Sequence, residues 1–368
     1  MLISSLLVLF SLSLSGHLNL HPFIHEVTEW LDTNDIPWTY DGETEGTCRM
    51  LSMSETTKLH LLPTEPRSPT LTKELTDKRI TETIIHLHQD VWYQHPTIVH
   101  ARLFHKLAFL GRGRANEHQQ HQQQHRVFAR KTTAQRLSKH EAVAFLSQHH
   151  LWGGVSNCKH YYGLMYPRKA DEKLELVAVA AFSAPRNVMR RGRIHRSVEL
   201  VRYCSKGAIV GGISKLVKTF IRNHSPDDII TIIDRDWGGA SGWYALGFEP
   251  CQSLPPSLWV VETETGIRTS LVGQLDETKL PFLPDLLTDP SEHTLSRHGY
   301  VAIYGAGMER LLMICNDATE TAQDLWDHSI PCYPPGYYSA HPGVAALLQQ
   351  AENACRDGSN AATGSNSM

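Results

Sequence analysis

Between Glu199 and Pro250 the chain sets residues that could hold an anion beside residues that could move a proton. The stretch reads ELVRYCSKGAIVGGISKLVKTFIRNHSPDDIITIIDRDWGGASGWYALGFEP. Its first notable piece is Val210-Gly211-Gly212-Ile213-Ser214-Lys215. Glycines let backbone amides approach a phosphate closely, and a helix starting near Ile213 aims its free N–H groups and positive dipole end the same way. Lys206, Ser214 and Lys215 add charge and a hydroxyl. Each dipole contact contributes only about 0.3–1 kcal/mol when exposed, so several must converge to hold a diphosphate. Close helix packing explains paired glycines equally well. The order is not a P-loop, which needs Gly-x-x-x-x-Gly-Lys-Ser/Thr, and Gly-x-Gly-x-x-Gly is absent. A second apolar run, Asp228 to Asp234, ends in Asp234-Arg235-Asp236-Trp237, where an acid or base could sit beside the cradle.

The elements that must position these residues follow from periodicity. Strands are expected over Val127–Lys131, Tyr161–Pro167, Leu174–Ser183, Glu199–Tyr203, Ile229–Asp234 and Leu258–Val261. A helix over Ser138–His149 opens with a capping box, Ser138 and Glu141. Upstream, Ile24–Leu31 reads as a short amphipathic helix and Thr83–Asp90 as a strand. Val91–Leu110 has helical spacing, with Ile98, Ala101, Phe104, Leu107 and Ala108 on one side. Asp41–Arg79 has weak periodicity and reads as loop and linker. Gly111–His125 is polar and of low complexity, which marks a connector and a domain boundary. After Pro281 a short helix (SEHTLSRHG) and a hairpin over Tyr300–Ile314 are expected, and from about Asn316 the composition turns to that of a disordered tail.

Composition bounds the rest. At 368 residues the chain can hold two domains with cores of their own, and a net charge of −3 neither requires nor excludes a nucleic-acid partner. Locally the balance is different. Arg186, Arg190, Arg191, Arg193, Arg196, Arg202, Lys206, Lys215, Lys218 and Arg222 crowd one stretch, which is either a solvated basic face or a track for a phosphate backbone. The seven cysteines form no Cys-x-x-Cys pair and suggest no disulfide framework. His149, His150, Cys158 and His160 are residue types that suit zinc, but their spacing matches no finger or catalytic pattern, so no metal is expected. His86, His88, Trp92, Trp152 and Trp237 either stack on bases or belong to the core. The apolar run Leu2–Leu14 suits the core of a signal peptide, although a basic n-region is missing. It points to the secretory route or to organelle import, with a nuclear or cytoplasmic protein as the alternative.

The order strand, glycine turn, helix, strand and then Tyr244-x-x-Gly247-Phe248 resembles the GNAT acyltransferases. A longer series resembles the GNAT-like domain of many phage proteins, often fused behind a homing-endonuclease-type nuclease. It runs through Phe145–Gly154 (FLSQHHLWGG), Gly163-Leu164, Ala181-Phe182-Ser183, Glu199-Leu200-x-Arg202-x-Cys204-Ser205, Gly211-Gly212-x-Ser214-Lys215-Leu216, Asp234-Arg235-x-Trp237 and Gly299-Tyr300-x-x-Ile303-Tyr304-x-x-Gly307. More distantly it is similar to Mom-type phage enzymes that modify adenine in DNA. Ile84–Leu107 looks like the tail of the associated nucleases, with Asp90 and Trp92 at a helix start. No acidic residue followed by Glu-x-Lys stands out upstream, so a degenerate nuclease remnant without cleavage activity is expected.

The resemblance implies an α/β chain: a GNAT-like mixed, mostly antiparallel sheet flanked by helices over 126–312. A small α+β nuclease-like segment at 22–110 precedes it, with a leader at 1–16, a linker at 111–125 and a tail at 313–368. It also implies acetyl-CoA or another acyl-CoA as co-substrate, with the pyrophosphate on the loop after one strand and the pantetheine between that strand and the next. Lys206, Val210, Gly211, Gly212, Ile213, Ser214 and Lys215 would hold the donor together with Arg202. Tyr244 would return a proton to the leaving thiolate, and Asp234 would orient an acceptor amine. For Asp234 to act as a base near neutrality, its pKa would have to rise by about three units, roughly 4 kcal/mol of desolvation. The adjacent Arg235 favours an ionised, orienting carboxylate instead. The acceptor would be a nucleobase or another nucleic-acid-linked amine, with DNA or RNA held through 186–222. The rival reading is a non-catalytic nucleic-acid-binding module derived from a homing endonuclease.

Overall fold

The computed structural model describes residues 21–79, 81–107, 127–167, 173–256, 258–271, 280, 282–289, 291–316, 321–327 and 329–330. The leader at 1–16, the linker at 111–125 and the tail beyond 330 lie outside the described residues. Pro22, harmless in a first turn, opens α1 (Pro22–Thr33), whose apolar stripe of Phe23, Ile24, Val27 and Leu31 is buried. Then follow β1 (Thr39–Glu43), β2 (Arg49–Ser52), β3 (Thr57–Leu62), α2 (Leu71–Lys78), β4 (Thr83–His88), α3 (Gln89–Gln94) and α4 (Pro96–Leu107). The four strands form one sheet in chain order, antiparallel except for β3 and β4, which run parallel through the α2 crossover.

Two expectations fail here. Asp41–Arg79 is a folded sheet and helix, not a linker. Its strands are only four to six residues long, and β3 is buried on both faces, so it shows none of the alternation that marks a half-exposed strand. The helix expected over Val91–Leu110 is divided at His95–Pro96, since proline ends the preceding turn. Its buried face is Val99, Leu103 and Leu107, while Ala101 is exposed. Leu59, Leu61, Ile85 and Leu87 pack with α1 and α4 in one core. The alternate residues His60, His86 and His88 are buried as well, so this sheet has a polar interior face.

The rest of the chain builds a mixed sheet. Its elements are β5 (Val127–Phe128), β6 (Thr133–Arg136), α5 (Lys139–His149), β7 (His160–Pro167), β8 (Leu174–Phe182), β9 (Arg186–Arg190), β10 (Arg193–Ser205), β11 (Ile209–Val210), α6 (Gly212–His224), β12 (Asp228–Asp234), α7 (Ser241–Tyr244) and β13 (Glu249–Leu254). After these come β14 (Leu258–Glu262), β15 (Arg268–Ser270), α8 (Leu283–Thr288), α9 (Glu292–Arg297), β16 (Tyr300–Tyr304), β17 (Met308–Ile314), α10 (Ala322–Asp327) and β18 (Ser329–Ile330). The main path is β13-β17-β12-β10-β8-β7-β6, with β9 and β18 attached beside β10. Helix α6 covers one face through Leu216, Val217 and Phe220, and α5 covers the other through Ala142, Phe145 and Leu146. The expected class is therefore the observed one: a mixed, mostly antiparallel sheet flanked by helices. The Ser138–Glu141 capping box is present.

Tyr300–Ile314 is not a hairpin. β16 joins β14 and β15 in a separate small sheet with its own core, whereas β17 returns to the main sheet between β12 and β13. Part of the stretch expected as tail is folded. α10 and β18 dock where Arg190 and Asp228 form an ion pair with no exposure (Nε–Oδ2 3.2 Å), and Arg190 also donates to Ser329 Oγ.

Candidate functional site

Within the main sheet β10 and β12 are the only described neighbours that run parallel. They pair over three positions, from Ser197–Asp228 to Glu199–Ile230, although β10 continues to Ser205 and β12 to Asp234. A bulge in β10 between Leu200 and Arg202 shifts its register against β8 at the point where this pairing stops. A bulge bends its strand and raises the local twist, so the edges of Leu200–Ser205 and Thr231–Asp234 part. Thr231 Oγ1 reaches across the start of the gap to Leu200 O at 3.0 Å.

The glycine turn closes the wide end. Gly211 sits at φ 74°, a left-handed conformation open to glycine, and caps α6. Gly212 is required by space, because a Cβ there would lie 2.9 Å from Ile209 Cγ2 and 3.0 Å from the Tyr203 hydroxyl. Gly212→Ala should lower stability by about 1–3 kcal/mol through overpacking, which chemical denaturation would read. The first amides of α6 have no partner inside the helix. The Ile213 amide faces the Tyr203 hydroxyl, however, and burial pushes the pKa of that hydroxyl up to about 12. The two lysines assigned to the donor are engaged elsewhere. Lys206 pairs with Glu175 at 2.6 Å, and Lys215 Nζ donates to the carbonyls of Ala129 (2.9 Å) and Thr132. Val210 is exposed, and Ile213 and Ser214 are half-buried in the first turn of α6.

Other cations lie near the ends of β10 and β12. α4 reaches both: Arg102 lies 4.3 Å over the Trp237 ring after β12, and His105 Nε2 is 3.9 Å from where a Gly207 Cβ would lie after β10. Burial lowers the pKa of Arg102, partly offset by Asp234; it brings Lys106, assisted by Arg102, down to about 8. On β10, Arg202 Nη1 donates to the neighbouring Val201 O at 3.0 Å, and its buried Nε has no hydrogen-bond partner among the described residues. His150 is held neutral, down to about 3, by burial and by Arg202 and Arg102. Sequence reasoning found Arg202 but missed Arg102 and Lys106. An Arg-x-x-x-Lys spacing on one helix face was the available signal.

Beyond the C-terminal end of β12, on the same unpaired side, the segment after the strand passes into the first unit. His86 N–H donates to Asp236 O at 2.7 Å, and Ile85 bridges to Trp237. Asp234 Oδ1 accepts the Asp236 N–H (3.0 Å), and Asp236 Oδ1 accepts that of Ala306 (2.6 Å). His88 Nε2 is 3.3 Å from Asp236 Oδ2. Burial first, then the Asp236 charge, push Asp234 up to about 7. Burial alone would raise Asp236 too, but the His88 hydrogen bond and the charges of His88 and His86 pull it below its usual range. Burial keeps His86 neutral, down to about 4, and His86 bonds His60 at 3.0 Å and Thr76 at 2.8 Å. Arg235 turns away to Asp77 at 2.6 Å, which explains why it does not hold Asp234 ionised as the sequence suggested. His86, His88, Asp234, Asp236, Trp237 and Arg268 are among the residues lining a cavity of about 10 Å³, room for about one water. Such a carboxyl can take up and release a proton near neutrality.

Other expected roles are displaced. Tyr244 is 44% exposed and donates to Glu309 at 3.1 Å; burial and Glu309 push it up to about 12, so it yields a proton less readily than an ordinary tyrosine. His86, His88, Trp92 and Trp237 are buried, and Trp152 stacks on Trp259 with ring centroids 4.8 Å apart, so these residues belong to the core and not to a base-stacking face. Much of the basic stretch is internally engaged: Arg190 with Asp228, Arg191 with Asp324, and Arg196 with His224 O.

No protein-family model matches the chain, and no curated protein matches it. Among solved structures, one titled a conserved protein of unknown function from Enterococcus faecalis, probable N-acyltransferase, is similar over 43% of this chain and 43% of its own. The identity is 12% and the TM-score 0.24. That likeness spans less than half of either chain and carries no argument about activity here.

Proposed function

We propose that the chain is an acyl-CoA-dependent N-acyltransferase of the GNAT-like type. The observation that carries the reading is the parallel pair β10–β12, which stops pairing after Glu199 and Ile230 and parts beside a glycine-opened helix. The residues present suit an anionic donor. Arg202 Nε is buried without a partner, and no acidic hydrogen-bond partner meets Arg102 or Lys106 among the described residues. Bound acyl-CoA would supply the activated acyl thioester. Arg202, Arg102 and Lys106 would hold its anionic part, in place of Lys206 and Lys215. Asp234 would take the proton that the acceptor nitrogen sheds as it attacks the thioester carbonyl, and that proton would pass on to the departing CoA thiolate. The acceptor that the resemblance implies is a nucleobase or another nucleic-acid-linked amine. Arg193, Lys218 and Arg222, exposed and without acidic partners among the described residues, are the side chains to follow its phosphates.

Acetyl-CoA at a hundred times its Kd should stabilise the protein by about 2.7 kcal/mol. Thermal unfolding should show that shift in the parent chain and lose it in Arg202→Met. An unchanged Tm across a titration to millimolar acetyl-CoA and longer acyl-CoAs would refute the reading.

A further inference from the structure

A groove of about 430 Å³ lies between α1 and the α3–α4 junction, a size typical of small-molecule sites. Its lining includes Glu26, Glu29, Trp30, Trp92, Tyr93 and His100. The aromatic rings are fixed by one another. Trp30 stacks on His100 with centroids 5.2 Å apart, and Trp92 stands edge-on to Trp30 at 6.0 Å. Trp92 is anchored in the core, whereas Tyr93 is 43% exposed.

The charges of the groove are one-sided. Tyr93 donates to Glu26 Oε1 at 3.0 Å, and Glu29 faces only His25, at 3.9 Å. Neither glutamate meets a lysine or arginine among the described residues. His100 supplies no balancing charge, because burial lowers its pKa, and its buried Nε2 has no hydrogen-bond partner among the described residues. Aromatic faces carry negative potential that attracts organic cations, more so when the cation is partly desolvated. A bare metal ion would need a shell of several oxygens, which this groove does not offer.

We propose that this groove binds a small organic cation, its alkyl part against Trp30 and Tyr93 and its charged head between those rings and the carboxylates of Glu26 and Glu29. The site is separate from the opening between β10 and β12, and it stands or falls independently of acyl transfer.

The test uses the full chain and three probes followed by tryptophan fluorescence and calorimetry: choline, agmatine, and 3,3-dimethylbutan-1-ol as the uncharged isostere of choline. Saturable binding of choline or agmatine is expected, with the isostere at least about ten-fold weaker. Glu26→Gln with Glu29→Gln, both at exposed positions, should weaken cation binding about ten-fold while Tm is unchanged. Equal binding of choline and its isostere would mean that the groove takes an apolar occupant, and would overturn the proposal. So would undiminished binding in the glutamine variant, or failure of both cations to bind at millimolar concentration.

Discussion

Asp90→Ala is expected to destabilise the protein by about 3–5 kcal/mol, the usual effect of stranding one partner of a buried ion pair. Asp90 opens α3 and receives both arms of Arg268 from β15 (Nε–Oδ2 2.5 Å, Nη2–Oδ1 2.9 Å). Burial alone would raise the Asp90 pKa; the Arg268 charge and hydrogen bonds override it and hold the carboxyl below its usual range. Arg268 also lies 5.9 Å and 5.5 Å from the stacked rings of Trp152 and Trp259. Without its carboxylate, a guanidinium would remain enclosed where three parts of the chain meet. Chemical denaturation checks the magnitude. A paired Asp90→Leu, Arg268→Met variant should recover much of the loss, since well-packed apolar replacements of buried pairs are often near neutral. A loss below about 1 kcal/mol in the single variant would show that solvent reaches Arg268.

The second large effect belongs to Asp234→Asn. If Asp234 is the base, transfer should fall about 10²–10⁴-fold. In the parent chain the rate should climb with pH through about 7 as the carboxyl ionises. Release of free thiol from acyl-CoA with the best amine of a panel would measure both. Stability should move the other way. The folded chain binds this proton more tightly than the unfolded chain, whose carboxyl has the ordinary value of 3.8. From about pH 4 to 7 the folded state therefore carries extra proton, and stability falls as pH rises across that window before levelling. Asparagine removes the ionisation, so the variant should gain in Tm over the parent at pH 8 and gain least near pH 4. A variant with full activity, or with a pH-independent difference in Tm, would exclude Asp234 as a buried proton acceptor.

What could be read from the chain alone follows the range of each interaction. α5 was legible because its capping box and apolar spacing are local, and α6 because two glycines precede a clear stripe of Leu216, Val217 and Phe220. β7, β8, β10 and β12 were legible in place but not in partnership, and β6, β9 and β13 were not expected at all. Nothing local says that β16 and β17 belong to different sheets, or that β1–β3 form a sheet at all, since the partners are set by tertiary packing and β3 buries Lys58 and His60 along with its leucines, so that no alternation shows.

The site divides the same way. Spacing by itself marked strands alternating with helices, a glycine-opened helix after a strand, and an Asp-Arg-Asp-Trp sequence at the end of the next, while the mixed sheet was what the family resemblance implied. Only the tertiary structure decided which charges act. It turns Lys206, Lys215 and Arg235 to internal partners, brings Arg102 from α4 onto Trp237 with Lys106 beside it, and encloses Asp234 beside Asp236. Desolvation and charge–charge interaction depend on what surrounds a group in space, and chain order does not contain that surrounding.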